Sequence, residues 1–346
     1  MTILVLNAGS SSVKSALFGP DLAPIDQLTM AEVTDHRAAI AAILDHYAAH
    51  RPMAAAHRVV HGGESLTAPT RITPDVRAQI AALIPLAPLH NPAALAGIDA
   101  IAALAPDLPQ VACFDTGFHA TNPTVATTYA IPATPGLRRF GFHGISYADL
   151  SRRLRPQPDR LLALHLGNGA SLCAIRAGQS VATTMGTSPL DGLTMGTRSG
   201  GIDPAAVLAL ARRHGIDGAE RLLNHDSGLK ALGGTSDMRA LARAGTRAAR
   251  FARGHFAYWA VRHAGSMIAA MGGIDALAFT GGIGQNDPDL RAAIMEGLAF
   301  TGLIVDTAAN ARGEARLHTE SSSVSAWIVP AQEERAIAAA ALRLIS

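Results

Sequence analysis

The chain has 346 residues, a length that suits two domains better than one. Apolar residues make up 49% but aromatics only 4%, so two cores can form, built mainly from Ala, Leu, Ile and Val. A formal net charge of +2 provides no basic stripe for nucleic acid, and no stretch reaches the apolar length of a membrane span. Cys113 and Cys173 are the only cysteines; their spacing suits neither a CxxC redox pair nor a zinc site, and two lone thiols fit a reducing cytoplasm. The first residues lack a basic region followed by an apolar run, so no export leader is expected.

In chain order, Ile3–Leu6 reads as a buried strand, apolar without alternation, ending in the polar turn Asn7-Ala8-Gly9-Ser10-Ser11-Ser12. Val13–Phe18 follows as a second strand, which makes a hairpin pattern. Ala38–Ala49 reads as a helix, and Pro74–Ile84 as another with Thr73 as its N-cap. His90-Asn91-Pro92, a polar break after the apolar run Ile84–Leu89, either lines a pocket or is simply an extended or turn segment before Pro. Val111–Phe114 is a short strand ending at Asp115. Leu161–Leu166, the turn Gly167-Asn168-Gly169-Ala170-Ser171 and the apolar stretch Leu172–Ile175 repeat the N-terminal pattern, which suggests an internal duplication. Phe251–Met271 is a long helical pattern. Ala276–Thr280 is a strand running into Gly281-Gly282-Ile283-Gly284, Val324–Val329 is another, and Glu333–Ile345 is a closing helix. Alternating strands and helices mark the α/β class.

Each candidate site residue carries two readings. The Asn/Gly/Ser turns are either ordinary hairpin turns or cradles of N–H groups for phosphate, with Lys14 just past the first. The Gly281–Gly284 loop has no following Gly-Lys-Ser/Thr and is therefore no Walker A loop. Arg58 and Arg198 lie beside glycine runs; each is either a surface arginine or a two-pronged contact for carboxylate or phosphoryl oxygens. Asp115 either caps the following segment or organises a metal-linked water or a nucleophile. His143, between glycines, is either a bonded core histidine or a functional one. Glu333 reads on its own as an acid at a helix start.

Taken in order, these segments resemble the acetate kinase family. The resemblance is carried by Leu6–Lys14, His57–Glu64, Ala87–Pro92, Phe114–His119, Gly141–Gly144, His165–Ser171, Met195–Pro204, Thr280–Asn286 and Glu333-Glu334, and it runs from end to end. It implies two ribonuclease-H-like domains around a cleft, the fold of sugar kinases, heat-shock chaperone ATPases and actin. An acid-substrate domain would span 1–120 plus about 335–346, and a nucleotide domain 121–334. The activity implied is reversible phosphoryl transfer between ATP and acetate, giving acetyl phosphate and ADP, with propionate or butyrate as the alternative acid. Mg²⁺ is the implied metal, with Mn²⁺ as a substitute, and a homodimer the implied assembly.

Residue by residue, the resemblance implies that Asn7 and Glu333 help hold the metal. Lys14 and the loop His165, Leu166, Gly167, Asn168 and Gly169 would meet the ATP phosphates. Asp237, Met238 and Arg239 with Gly282, Ile283, Gly284, Gln285 and Asn286 would form the adenosine pocket. Arg58 would bind the carboxylate, and Val60, Leu89, Phe142 and Pro189 the substrate methyl. Asp115 would act as acid/base or metal-water organiser, and His143 and Arg198 would stabilise the transferring phosphoryl group. The chain departs from the family pattern in being shorter between Phe18 and His57. It also has Gly201 for Asp, Ile145 and Tyr147 for Thr and His, Gln285 for Glu, Met238 for Phe, and Ala331-Gln332 for Thr-Asn. A non-catalytic ATP-gated clamp of the chaperone or actin kind is the rival class; Arg58, Asp115, His143 and Arg198 argue against it.

Overall fold

The computed structural model describes residues 2–9 and 11–345, so Ser10 of the first turn lies outside the described residues. The chain divides into two compact units: Met1–Ala120 with Phe142–Asp149 and Gln332–Ser346, and Thr121–Gly141 with Leu150–Ala331. Phe142–Asp149, which the sequence placed in the second domain, thus groups with the first unit, as do Gln332–Glu334.

The first unit is built on a six-stranded sheet. Its strands are β1 (Ile3–Ala8), β2 (Ser12–Phe18), β3 (Pro24–Ala31), β4 (Ala54–Val59), β5 (Thr70–Arg71) and β6 (Gln110–Phe114), in the order β3-β2-β1-β4-β6-β5. β1 pairs antiparallel with β2, with Asn7 opposite Lys14, and parallel with β4; β4 pairs parallel with β6. Both faces are buried, which explains the unbroken apolar runs. Ile3, Val5, Ala54, Ala56 and Cys113 face the closing helix Glu333–Ile345 through Ile337 and Ala341. Leu4, Leu6 and Ala55 face the other way, onto Ile40 and Ile43 of helix His36–His46 and onto Ile101 of helix Asn91–Leu104.

The second unit has β7 (Arg160–Leu166), β8 (Ala170–Arg176), β9 (Gln179–Thr183), β10 (Ala276–Thr280) and β11 (Ser325–Ile328), in the order β11-β10-β7-β8-β9. β7 pairs antiparallel with β8 and parallel with β10, and β10 pairs parallel with β11. Read from the other edge, β9-β8-β7-β10-β11 repeats β3-β2-β1-β4-β6 strand for strand and in the same directions. The duplication suggested by two short turns therefore extends to five strands of each sheet, β5 being the addition.

The helix starts follow their caps. Thr73 accepts from Val76 N–H, and Thr246 from Ala249 N–H, which starts the long helix at Arg247, one turn before its apolar pattern. His90-Asn91-Pro92 is not the extended or turn segment expected. It opens the helix Asn91–Leu104, where Pro92 is tolerated because first-turn N–H groups have no intrahelical partner.

Candidate active site

In the first unit, parallel strands β4 and β6 end side by side and carry Arg58 and Asp115. Arg58 Nη2 donates to Asp115 Oδ2 at 2.6 Å, and Arg58 Nε donates to both carboxylate oxygens at 3.1 and 3.2 Å. Asp115 is 1% exposed and the Arg58 side chain 21%. Burial alone would weaken the hold of Arg58 on its proton, but Asp115, Glu333 and Glu334 outweigh it and hold the guanidinium above its ordinary value. Among the described residues Nη1 of Arg58 has no hydrogen-bond partner, so one edge of the fork remains for another anion.

The Asp115 backbone is tied on both sides. Its N–H donates to Val59 O at 3.0 Å, and its carbonyl accepts from Gly144 N–H at 2.7 Å. A Cβ on Gly144 would fall 2.3 Å from that carbonyl, so only glycine fits there. This close approach brings His143 to the Asp115 segment. His143 has φ of +59°, left-handed backbone that non-glycine residues seldom adopt and that clusters at functional sites. Its carbonyl accepts from Tyr147 N–H at 3.0 Å, and the two rings meet edge to face. Phe142 is 1% exposed and packs edge-on against His61.

The segment after Arg58 is pinned by Asn91, whose Oδ1 accepts from His61 N–H and whose Nδ2 donates to His61 O, both at 3.2 Å. The sequence reading missed this role, since a buried asparagine in the first turn of a helix looks like a turn residue. Val60 is half-buried and Leu89 is 41% exposed. Asn7 and Lys14 face each other across the β1–β2 ladder and share one side of the sheet. A groove of about 600 Å³ between Arg71, Arg77, Asp99 and Gln110 contains none of these residues, and its Arg77–Asp99 pair already satisfies its own charge.

Two buried histidines support this unit. His119 Nε2 donates to Phe142 O at 2.9 Å, and His57 Nε2 bonds Gln110 Oε1 at 2.8 Å. Burial holds each at about 4, below the ordinary 6.5. The unfolded chain takes up these protons near pH 6.5 and the folded chain only near 4. Stability is therefore fully present above about pH 6.5 and is lost as pH falls towards 4, by up to about 1.4 kcal/mol per pH unit per group. Melting curves from pH 7 to 4 should show this loss, and His119→Gln should flatten it; parallel curves for the two proteins would refute the assignment.

In the second unit the turn His165–Gly169 lies at the mouth of β7. His165 pairs with Ser171 on one side and Thr280 on the other. Asn168 O accepts from Gly196 N–H at 3.0 Å, and a Cβ on Gly196 would collide with the Asn168 side chain. That contact brings the turn against the loop bearing Arg198. Arg198 Nη1 reaches Pro189 O at 3.3 Å and Met195 Sδ at 3.9 Å, and no carboxylate pairs with it among the described residues. Burial lowers its hold on its proton. A partly buried guanidinium without a counter-ion is a ready anion site.

Asp237 caps the helix Met238–Ala244, accepting from Arg239 N–H at 2.8 Å; Met238 is buried and the Arg239 side chain exposed. β10 runs into the Gly282–Asn286 segment through Gly281, whose φ is +77° and where a Cβ would lie 2.6 Å from Leu166 O. Nothing lies within 4 Å of a Cβ placed on Gly282, so its outer side is open. Asn286 Nδ2 donates to Gly282 O at 2.8 Å, and Ile283, Gly284 and Gln285 lie between them in one short helix, Gly281–Asn286. Behind it, Arg291 is 1% exposed; its Nη1 donates to Gly284 O and Gln285 O at 3.0 and 2.8 Å, and its Nε to Asn310 Oδ1 at 2.9 Å. Arg291 went unread in the sequence, although an arginine flanked by Leu290, Ile294 and Met295 on an apolar helix face was the available signal.

A Mg²⁺ ion fits the residues present. Among the described residues Glu333 Oε1 is buried with no hydrogen-bond partner, and Asn7 offers an amide oxygen in the same unit. No group of three or more His, Cys, Asp or Glu able to hold a metal occurs among the described residues.

Two sheets of matching strand order and direction define a duplicated, actin-like α/β fold. A ROK family protein from Streptococcus pneumoniae shares it at a TM-score of 0.51 and 12% identity, covering 100% of this chain and 99% of its own. The model of the acetokinase family matches residues 25–339, and the chain belongs to that family. It is 41% identical over 384 aligned positions to an acetate kinase from Clavibacter michiganensis, with 97% of each chain covered. Among solved structures, Porphyromonas gingivalis acetate kinase aligns at a TM-score of 0.91 and 33% identity over 100% of both chains. A propionate kinase from Francisella tularensis aligns at 0.92 and 34% over 98% of both.

Proposed function

We propose that the protein transfers the γ-phosphoryl group of ATP reversibly to acetate, with Mg²⁺, as a cytoplasmic homodimer. The first unit takes the acid and the second the nucleotide. The observation that carries this reading is the pairing of Arg58 with Asp115 beside His143, in a chain related over its full length to acetate kinases.

A simple carboxylic acid, with a pKa of about 4–5, is already an anion at neutral pH and needs no base to attack phosphorus. The barrier lies in charge repulsion and alignment. Arg58, aimed by Asp115 through two of its nitrogens, presents its remaining edge to the acetate carboxylate. Asp115, held in an ion pair, serves as an acceptor that orients rather than as a proton carrier. His143 and Arg198 meet the equatorial oxygens of the transferring group as charge spreads over them. Lys14 and the His165–Gly169 turn hold the phosphates, and the Asp237–Arg239 and Gly282–Asn286 segments hold adenosine. Asn7 and Glu333 would hold Mg²⁺, which when bound supplies positive charge to the phosphate oxygens. Val60, Leu89, Phe142 and Pro189 enclose the methyl group.

Incubation with ATP, Mg²⁺ and acetate, with hydroxylamine to trap acetyl phosphate, tests the activity directly; no hydroxamate above background would refute it. Glu333→Ala should raise the Mg²⁺ concentration for half-maximal rate. An acid acting only at a helix start would instead lower the melting temperature and leave the Mg²⁺ dependence unchanged.

The similarity to a propionate kinase supports propionate as a second substrate. One methylene changes discrimination by only about 1–3 kcal/mol. Val60→Ala should raise kcat/KM for propionate and butyrate relative to acetate, and an unchanged ratio would place Val60 outside the pocket.

A further inference from the structure

We propose that Arg253 is a positioning residue for the nucleotide, joining the two segments assigned to adenosine and so setting how firmly the base is gripped. The inference rests on that assignment of the pocket.

Arg253 lies two turns into the helix Arg247–Met271, on the face that buries Ala249, Ala252, Phe256 and Ala260. An arginine on a face of small and apolar residues is held there by its partners. Its Nη1 donates to Asp287 Oδ2 at 2.6 Å and its Nη2 to Asp287 Oδ1 at 3.1 Å, a two-pronged pair whose side chains are 16% and 14% exposed. The same Nη1 reaches Met238 O at 3.5 Å, and Asp289 lies 3.9 Å from Nη2.

Asp287 adjoins the end of one proposed adenosine segment, and Met238 lies within the other. Asp287 directly follows Asn286. Its N–H closes onto Ile283 O at 3.0 Å, and its side chain caps the next helix through Leu290 N–H. It therefore anchors the end of the Gly282–Asn286 turn. Met238 opens the helix capped by Asp237 and lies within the other segment. Arg291 braces the Gly284–Gln285 carbonyls from behind, but among the described residues its hydrogen bonds go to those two carbonyls and to Asn310. One guanidinium, that of Arg253, spans both segments. Without it each segment keeps its own cap, while the separation between them is no longer fixed. Loss of that constraint should weaken nucleotide binding and leave the acid site unaffected.

The test compares Arg253→Met, Arg253→Lys and Asp287→Asn with the unaltered protein by steady-state kinetics, ADP titration calorimetry and melting. Arg253→Met should raise KM for ATP and Kd for ADP by about tenfold, the scale of a coupling between contacting groups. KM for acetate should change by less than about twofold, since Arg253 shares no hydrogen-bond or ion-pair partner with the residues assigned to the acid among the described residues. Arg253→Lys should recover part of the affinity, because a point charge replaces the planar fork. Asp287→Asn should weaken ADP less than Arg253→Met does, and the double variant no more than Arg253→Met alone. Should Arg253→Met not fold, Arg253→Lys and Asp287→Asn carry the same comparison. A lower melting temperature with unchanged KM for ATP and unchanged ADP affinity would overturn the proposal. Asn286→Ala separates the two levels. If it leaves ADP binding unchanged, the pocket assignment fails and the proposal with it; if it weakens ADP while the Arg253 variants do not, the proposal alone fails.

Discussion

Replacing Arg198 with alanine is expected to lower kcat by about 10³-fold, as loss of comparable charge stabilisers does in phosphoryl transfer. KM for ATP and for acetate should move little. The guanidinium is partly buried, and among the described residues it meets a carbonyl and a thioether and pairs with no carboxylate. Its charge is therefore left for an arriving anion, in the proposed mechanism the phosphoryl group in transfer. A contact made mainly in the transition state appears in kcat rather than in KM. Arg198→Lys should regain part of the rate, because an ammonium supplies charge without the planar pair of donors. Free guanidine should rescue some activity of the alanine variant. A rise in KM for acetate alone, with kcat intact, would mean that Arg198 and Arg58 have exchanged the roles proposed for them.

The parts of the fold that could be read in advance were those with strong local signals. β1 and β7 are short unbroken apolar runs, and each ends in an Asn/Gly/Ser turn that the pairing registers place at a hairpin. The closing helix Glu333–Ile345 matches the expected span end for end. β3 was not legible, because on this edge strand exposed and half-buried residues alternate, and Pro24 and Asp26 read as loop. β4 was hidden by Ala54, Ala55 and Ala56, whose composition favours helix and whose strand state is decided by neighbours on both sides. The long helix Pro204–His225 was missed because Gly215, at φ of +75°, breaks it internally.

The candidate site divides along the same line. Arg58, Asp115 and Arg198 stand out in sequence because glycines or strand ends flank them. Sequence could not show that Asp115 is already spoken for by Arg58, because that pairing spans 57 residues and depends on β4 and β6 being neighbours. It also concealed Asn91, Arg253 and Arg291, whose work is done on backbone groups or on partners distant in the chain. Their signal is a polar side chain on a buried helix face, visible only once the faces are known.

Asp115→Ala should cost both stability and catalysis, and the two losses can be separated. Removing one partner of a buried ion pair typically costs about 3–5 kcal/mol, because the other charge stays desolvated. The Arg58 side chain is 21% exposed, so water offsets part of this and about 2 kcal/mol is expected. At roughly 2–4 °C per kcal/mol, the melting temperature should fall by about 4–8 °C. Arg58→Ala should destabilise at least as much, since it removes the guanidinium bonded to the 1% exposed Asp115 carboxylate, and it should also raise KM for acetate by tenfold or more, about 1.4 kcal/mol of lost carboxylate binding. In the double variant Arg58→Ala/Asp115→Ala neither member of the pair is left without the other, so its stability loss should be smaller than the sum of the two single losses. Activity should not return with stability, because the anion contact is still missing. A double variant whose losses simply add would show that the two groups are not coupled, and Asp115 could then no longer be the residue that aims Arg58 at the substrate.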